Sequence, residues 1–388
     1  MQIPLSQVRN SLLSKVGGRA QANIPNFYAL LQETVWTMMQ RVDLPSAIRV
    51  EPFIAPLYTN SNWLVLPDDF SLDGLVAIRP QDYSEQTEYN SFIGTNQYNI
   101  EQFLYTSTIS IKNGVQFLQT QLTLPTPIVV NSCDDQDNGT WSAVGQTDNV
   151  RIDTQTFMEG YGSVAFDAQA GSSNGVQNLS MTAVDVSDAD NILIWLDSPI
   201  AVDSVRLTIG SSTADYYYQD ISTTYFYQDI SAGFNLLSMD LSSASSAGSP
   251  DLANIIYVKL EILDTLTSEY TFRLDSVLGM GDEFINLEYY STSLFLDNAG
   301  HRINIPTADT DYLVMTPREY ILFLRQFSEI ANVDVRPAGA AAALGTYGGT
   351  RLDALYDQFA AEFPSRRLLK ADNYASGRSG TYFFPGMY

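Results

Sequence analysis

The sequence predicts an α+β protein in which a helical and β-hairpin domain is interrupted by an all-β sandwich. Three observations lead there. Apolar residues recur at helical spacing near both ends of the 388-residue chain. Between the ends the period falls to two, and turn residues cluster between short β-rich runs. The acidic charge is also concentrated in that middle stretch. The whole chain carries a net −24. Residues 127–282 hold 22 acidic and 4 basic side chains, a net −18, which leaves −6 for the rest.

Two helical patterns open the chain. Leu5, Val8, Leu12, Leu13 and Val16 share one face, and Gly17-Gly18 stops the run. A second helix is expected from Pro25 to Val42, with Phe27, Leu30, Leu31, Thr34, Val35, Met38 and Met39 as its stripe and Asn23 or Asn26 as its cap. The period then changes. Trp63–Phe70 and Leu75–Pro80 read as two short strands around a turn, and Asn113-Gly114 marks a tight hairpin.

The middle stretch lacks a helical pattern. Strands are expected at Ser163–Ala168, Asn191–Leu196, Ser204–Ile209, Asp215–Ile221, Phe234–Asp240, Ile255–Leu263 and Tyr270–Val277, enough for a sandwich. After it, Asp297-Asn298-Ala299-Gly300 turns a hairpin. Thr316-Pro317 starts a helix, and a last helix spans about Thr350 to Phe363. The expected divisions are 1–126 and 283–365 for the two parts of the outer domain, 127–282 for the insert and 366–388 for a C-terminal arm.

Composition narrows the function. Aromatics at 12% and apolar residues at 45% belong to a folding chain, not to a disordered acidic one. The single cysteine, Cys133, makes no internal disulfide, and the single histidine, His301, leaves no His/Cys zinc set. The acidic excess argues against a broad nucleic-acid groove or an anionic membrane surface. No apolar run of about 18 residues suits a membrane span, and the N-terminus has no signal-peptide core. Acids scattered over turns single out no catalytic pair, and neither a phosphate loop nor a nucleophile motif occurs, so no enzyme is expected.

The flanking halves resemble the head–tail connector (adaptor) proteins of tailed bacteriophages. The resemblance is carried by Asn62-Trp63-Leu64-Val65-Leu66-Pro67-Asp68-Asp69-Phe70, by the following Leu75-Val76-Ala77-Ile78, and by Asn304-Ile305-Pro306-Thr307 before two helices that end in Tyr356–Arg366. It implies a structural virion protein of the neck, made in the host cytoplasm and placed at the portal vertex. The implied partners are the portal protein, tail or other neck proteins and copies of itself in a ring, twelvefold in that family, with packaged DNA passing through. No membrane partner is implied. The insert is similar to jelly-roll modules of carbohydrate-binding and virion surface proteins, through Asp134–Trp141, Gly160–Asp167, Phe234–Leu241 and Phe272–Val277. That likeness implies a structural calcium held by Asp134, Asp135, Asp137 and Asp275, since hard oxygen ligands suit the ion.

Two further sets follow from the residues. Tyr216 and Tyr218, nearly repeated as Tyr225 and Tyr227, are candidates for a glycan platform, because alternate rings of a strand share a face. This gives the alternative reading of a surface decoration or adhesin that binds glycans. The arm offers Arg366, Arg367, Lys370 and Arg378 with Tyr374, Tyr382, Phe383, Phe384 and Tyr388, a basic and aromatic set suited to a partner subunit.

Overall fold

Short β-rich runs with apolar residues at alternate, inward positions build the middle of the chain into two antiparallel sheets. The computed structural model describes residues 1–15, 26–53, 56–57, 60–80, 108–119, 126–135, 138–281, 285–330 and 352–366. One six-stranded sheet runs in the order Thr147–Asp153, Ser163–Ala168, Tyr270–Met280, Asn191–Ser198, Gly233–Asp240, with Ile128–Asn131 also paired to Tyr270–Met280. The other runs Ser245–Ala247, Tyr216–Ile221, Val205–Gly210, Tyr257–Ile262, Asn174–Asn178, Trp141–Gly145. The chain passes repeatedly from one sheet to the other, the winding of a jelly roll.

The inward positions make one core. Val205, Leu207 and Ile209 of one strand, Val258, Leu260 and Ile262 of its neighbour, and Ile192, Ile194 and Leu196 of the facing sheet are all buried there. Phe166 stacks on Phe272 with centroids 5.7 Å apart. Each such aliphatic side chain contributes roughly 1.5–3 kcal/mol on leaving water. All seven expected strands form, with ends shifted by up to three residues. Trp141–Gly145 and Thr147–Asp153 were not expected, because their exposed positions hide the alternation, nor was Asn174–Asn178, whose buried residues include Asn174 and Asn178.

The described residues group into two compact units. Pro52–Asp68 and Pro80–Ile285 belong to the sandwich unit. The β-hairpin of Thr108–Lys112 and Val115–Gln119, read from sequence with the first part, therefore groups with the sandwich. Its turn is as expected: Asn113 and Gly114 both take positive φ, 50° and 86°.

The other unit takes Met1–Glu51, Asp69–Arg79 and, among the described residues after the sandwich, 286–330 and 352–366. Helices Leu5–Lys15, Phe27–Arg41, Pro317–Ile330 and Leu352–Glu362 pack through Leu5, Val8, Leu12, Phe27, Leu31, Val35, Met38, Phe323, Phe327 and Phe359. Asn26 is in the left-handed region and its side chain makes no cap bond, so the expected asparagine cap is absent there; its carbonyl accepts from Leu30 instead. Thr316 and Glu319 do form a reciprocal cap at the third helix: the Glu319 amide donates to Thr316 Oγ1 and the Thr316 amide donates to Glu319 Oε2. Before the first helix, Gln2–Pro4 pairs with Tyr312–Val314 and ties the two chain ends into one sheet. Among the described residues no helix is long and apolar enough to cross a membrane.

Candidate functional site

The two sheets differ in what lies on their outer faces. In the Asn191–Ser198 sheet, Leu193 and Trp195 alternate with the core residues and point away from them, yet both are buried. The hairpin covers that side: the Phe117 ring lies 6.3 Å from Trp195, and Lys112 and Asn113 donate to the carbonyls of Met158 and Phe157. Trp195 is buried beneath the hairpin, and its indole N–H donates to the buried Glu159 at 3.1 Å.

The outer face of the opposite sheet is partly exposed: Asp220 is exposed, Arg206, Tyr216, Tyr218, Lys259 and Glu261 are half-buried, and Thr208 and Tyr257 are buried. Its outward residues fall into register across adjacent strands. One row runs Asp220, Arg206, Glu261, Gly175; the next runs Tyr218, Thr208, Lys259, Gln177, Ser142; the third runs Tyr216, Gly210, Tyr257. Arg206 Nε and Nη2 donate to the two oxygens of Asp220 at 2.6 and 2.8 Å, and its guanidinium lies 5.1 Å from the Tyr218 ring centre. Lys259 reaches Glu261 at 2.8 Å. Asp220 is held below the usual carboxylate range, first by the Arg206 hydrogen bonds. Tyr216 stands 6.0 Å from Tyr218 and meets Tyr257 edge-on at 6.5 Å. The result is an aromatic corner beside a row of alternating donors and acceptors.

Tyr216 and Tyr218 thus share a face as expected, and Tyr217 between them turns to the core. Tyr225 and Tyr227 do not join them. Their segment is a turn instead of a second strand: Thr224 and Gln228 close it from both sides, and Tyr227 is left exposed at a φ of 59°. The Tyr225 amide donates to Leu236 of the other sheet. The sequence reading overlooked Arg206, Asp220, Tyr257, Lys259 and Glu261. The alternation in Val205-Arg206-Leu207-Thr208-Ile209 and in Tyr257-Val258-Lys259-Leu260-Glu261-Ile262 is the signal that finds them.

The acids assigned to calcium anchor a loop. Asp134 Oδ1 accepts the amides of Tyr161 and Gly162, Asp135 accepts the Tyr161 hydroxyl, and Asp275 Oδ2 accepts the amides of Met158 and Glu159. Ser276 donates to the other Asp275 oxygen at 3.1 Å. Asp134, Asp135 and Asp275 do not converge as a three-ligand set among the described residues, and Asp137 lies outside them. Oxygens already engaged by N–H and O–H donors do not fit the implied ion. Burial raises Asp275 to about 7 despite those donors.

Of the arm, only Arg366 lies among the described residues; Arg367, Lys370, Tyr374, Arg378, Tyr382, Phe383, Phe384 and Tyr388 lie outside them. Arg366 is engaged within its own unit, with its amide on the Tyr290 hydroxyl and its guanidinium 2.5 Å from Glu288.

Fold and face together define a two-sheet jelly-roll module whose one open face is built of tyrosines and paired charges. No protein-family model matches the sequence, and no curated protein matches it. Among solved structures, the sandwich is similar to a family 11 carbohydrate-binding module from Clostridium thermocellum, in complex with a β-1,3-1,4-mixed-linked tetrasaccharide. Identity is 12%, covering 40% of this chain and 95% of that one, with a TM-score of 0.31. A family 4 carbohydrate-binding module (19% identity, 38% and 96% covered, TM-score 0.26) and a xylan-binding domain of family 22 (16%, 41% and 98%, TM-score 0.24) are further neighbours.

Proposed function

We propose that the sandwich is a glycan-binding module and that its open face, centred on Tyr216 and Tyr218, is the binding surface. The arrangement of that face supports the reading. A pyranose ring offers an apolar C–H side and a rim of hydroxyls. An aromatic corner beside in-register donors and acceptors answers both. The opposite outer face, covered by the chain's own hairpin, has no room for such a ligand. Neighbouring folds with glycan-binding names agree with this reading but do not carry it.

The test is affinity electrophoresis of the full chain against soluble polysaccharides. Retardation by at least one polymer, abolished in a Tyr216→Ala/Tyr218→Ala double variant of unchanged circular dichroism, is the expected outcome. Silence across a broad glycan panel would overturn the reading.

A structural role in a phage neck is the second reading. One feature favours it: the helical unit is assembled from both ends of the chain and closes its own core, so the sandwich sits in the chain as an insertion that an assembling subunit can carry. Its partners would be further copies in a ring, the portal protein and tail proteins, and neither role asks for catalysis. Analytical ultracentrifugation giving only monomer, with no binding to portal rings, would remove it.

A further inference from the structure

Residues 127–282 contain only four cations, and every one of them is paired. Arg151 meets Asp167 at 3.2 Å, Arg206 meets Asp220 at 2.6 Å, and Lys259 meets Glu261 at 2.8 Å. Arg273 meets both Asp153 and Asp197, at 2.8 and 2.9 Å. Residues 127–282 therefore present many carboxylates and no cation without a carboxylate beside it.

Two of these pairs stand on the open face. Arg206 lies in register between Asp220 on one neighbouring strand and Glu261 on the other, and Lys259 reaches Glu261 along its own strand. The four charges cancel across two adjacent rows. What remains is a set of N–H donors beside carboxylate acceptors. A sugar hydroxyl donates and accepts at once, so it suits such a row without disturbing it. The carboxylate of a uronate, or a sulfate group, brings only acceptors. It would have to draw Arg206 out of two parallel charge-assisted bonds, and it would approach a module of net −18.

We propose, as an inference that rests on the glycan reading, that the open face selects neutral glycans over anionic ones. Asp220 and Glu261 set the selection by neutralising Arg206 and Lys259. They are specificity residues: their acidity defines which ligands are refused.

The experiment compares the full chain with D220N, E261Q and the double variant on neutral mixed-linked β-glucan, neutral galactomannan and polygalacturonate. The wild-type chain is expected to bind a neutral polymer and to ignore polygalacturonate. The double variant leaves two unpaired cations, so its affinity for polygalacturonate should rise about tenfold or more and fall again with added salt. Circular dichroism and melting establish that the variants are folded, and the single variants serve if the double one is not. Wild-type binding to polygalacturonate as tight as to the neutral polymers would overturn the selection. So would a folded double variant with unchanged polygalacturonate binding. Silence of the wild-type chain on every glycan would instead take down the glycan reading, and the selection with it.

Discussion

The hydroxyl of Tyr289 donates to Oδ1 of Asp69 at 2.7 Å, joining two residues 220 positions apart in the chain. Ser291 donates to the other oxygen at 2.7 Å, and Arg302 stands 3.5 Å from it while donating to the Tyr289 hydroxyl at 2.8 Å. Asp69 closes the Leu66-Pro67-Asp68-Asp69 turn and is fully buried. Burial is the main influence on its carboxyl, raising it, while the Ser291 and Tyr289 hydroxyls pull it down.

Asp69→Ala should therefore destabilise the helical unit by about 3–5 kcal/mol, because it removes one acceptor from two buried hydroxyls and the charge partner of a largely buried arginine. Urea unfolding followed by a probe in that unit measures it. A change near zero would mean that the network is not a fold anchor.

Asp275 makes stability depend on pH in a defined sense. Its carboxyl is raised from 3.8 to about 7 by burial, so between those values the folded state holds a proton that the unfolded chain releases. This contribution is full below about pH 4 and is lost as pH rises through about 7. Comparing melts at pH 5 and pH 8, the wild-type sandwich should lose about 1–3 kcal/mol more than Asp275→Asn does. The asparagine keeps an acceptor for the Met158 and Glu159 amides but does not ionise. Identical pH profiles for both proteins would refute this origin.

The Thr316–Glu319 cap reaches beyond its own helix, since Glu319 Oε1 also accepts the Ser46 amide at 2.9 Å. Thr316→Ala should cost about 1 kcal/mol as a lost cap. Glu319→Ala should cost more, about 2–3 kcal/mol, because two partly buried amides lose their acceptor at once. Equal effects in chemical denaturation would show that the Ser46 contact adds nothing.

The alternation Tyr216-Tyr217-Tyr218 separates binding from stability. Tyr217→Ala should lower stability by about 1–3 kcal/mol through lost burial while sparing the open face. Tyr218→Ala should weaken glycan retardation at nearly unchanged melting temperature. If both variants behaved alike in the two assays, the assignment of faces would be wrong.

Much of the sandwich was legible in the sequence because burial on one side of a strand writes a period of two into it, as in Val205–Ile209 and Tyr257–Ile262. The edge strands Trp141–Gly145 and Thr147–Asp153 were not, since a strand with few buried positions needs no such pattern. Tyr225–Ser231 shows the opposite failure. It copies the composition of Tyr216–Ser222, but Thr224 and Gln228 bond to each other and close a turn, so composition alone misassigned it.

The sequence by itself determined the two textures of the chain, the strands of the sandwich core and the concentration of acid within it, because these depend on local periodicity and on counting. Only the tertiary structure decided which sheet face stays open, because the neighbours that cover the other face are distant in sequence. It also decided that each of the four cations of residues 127–282 has a carboxylate partner, since a sheet places side by side residues that the chain keeps far apart.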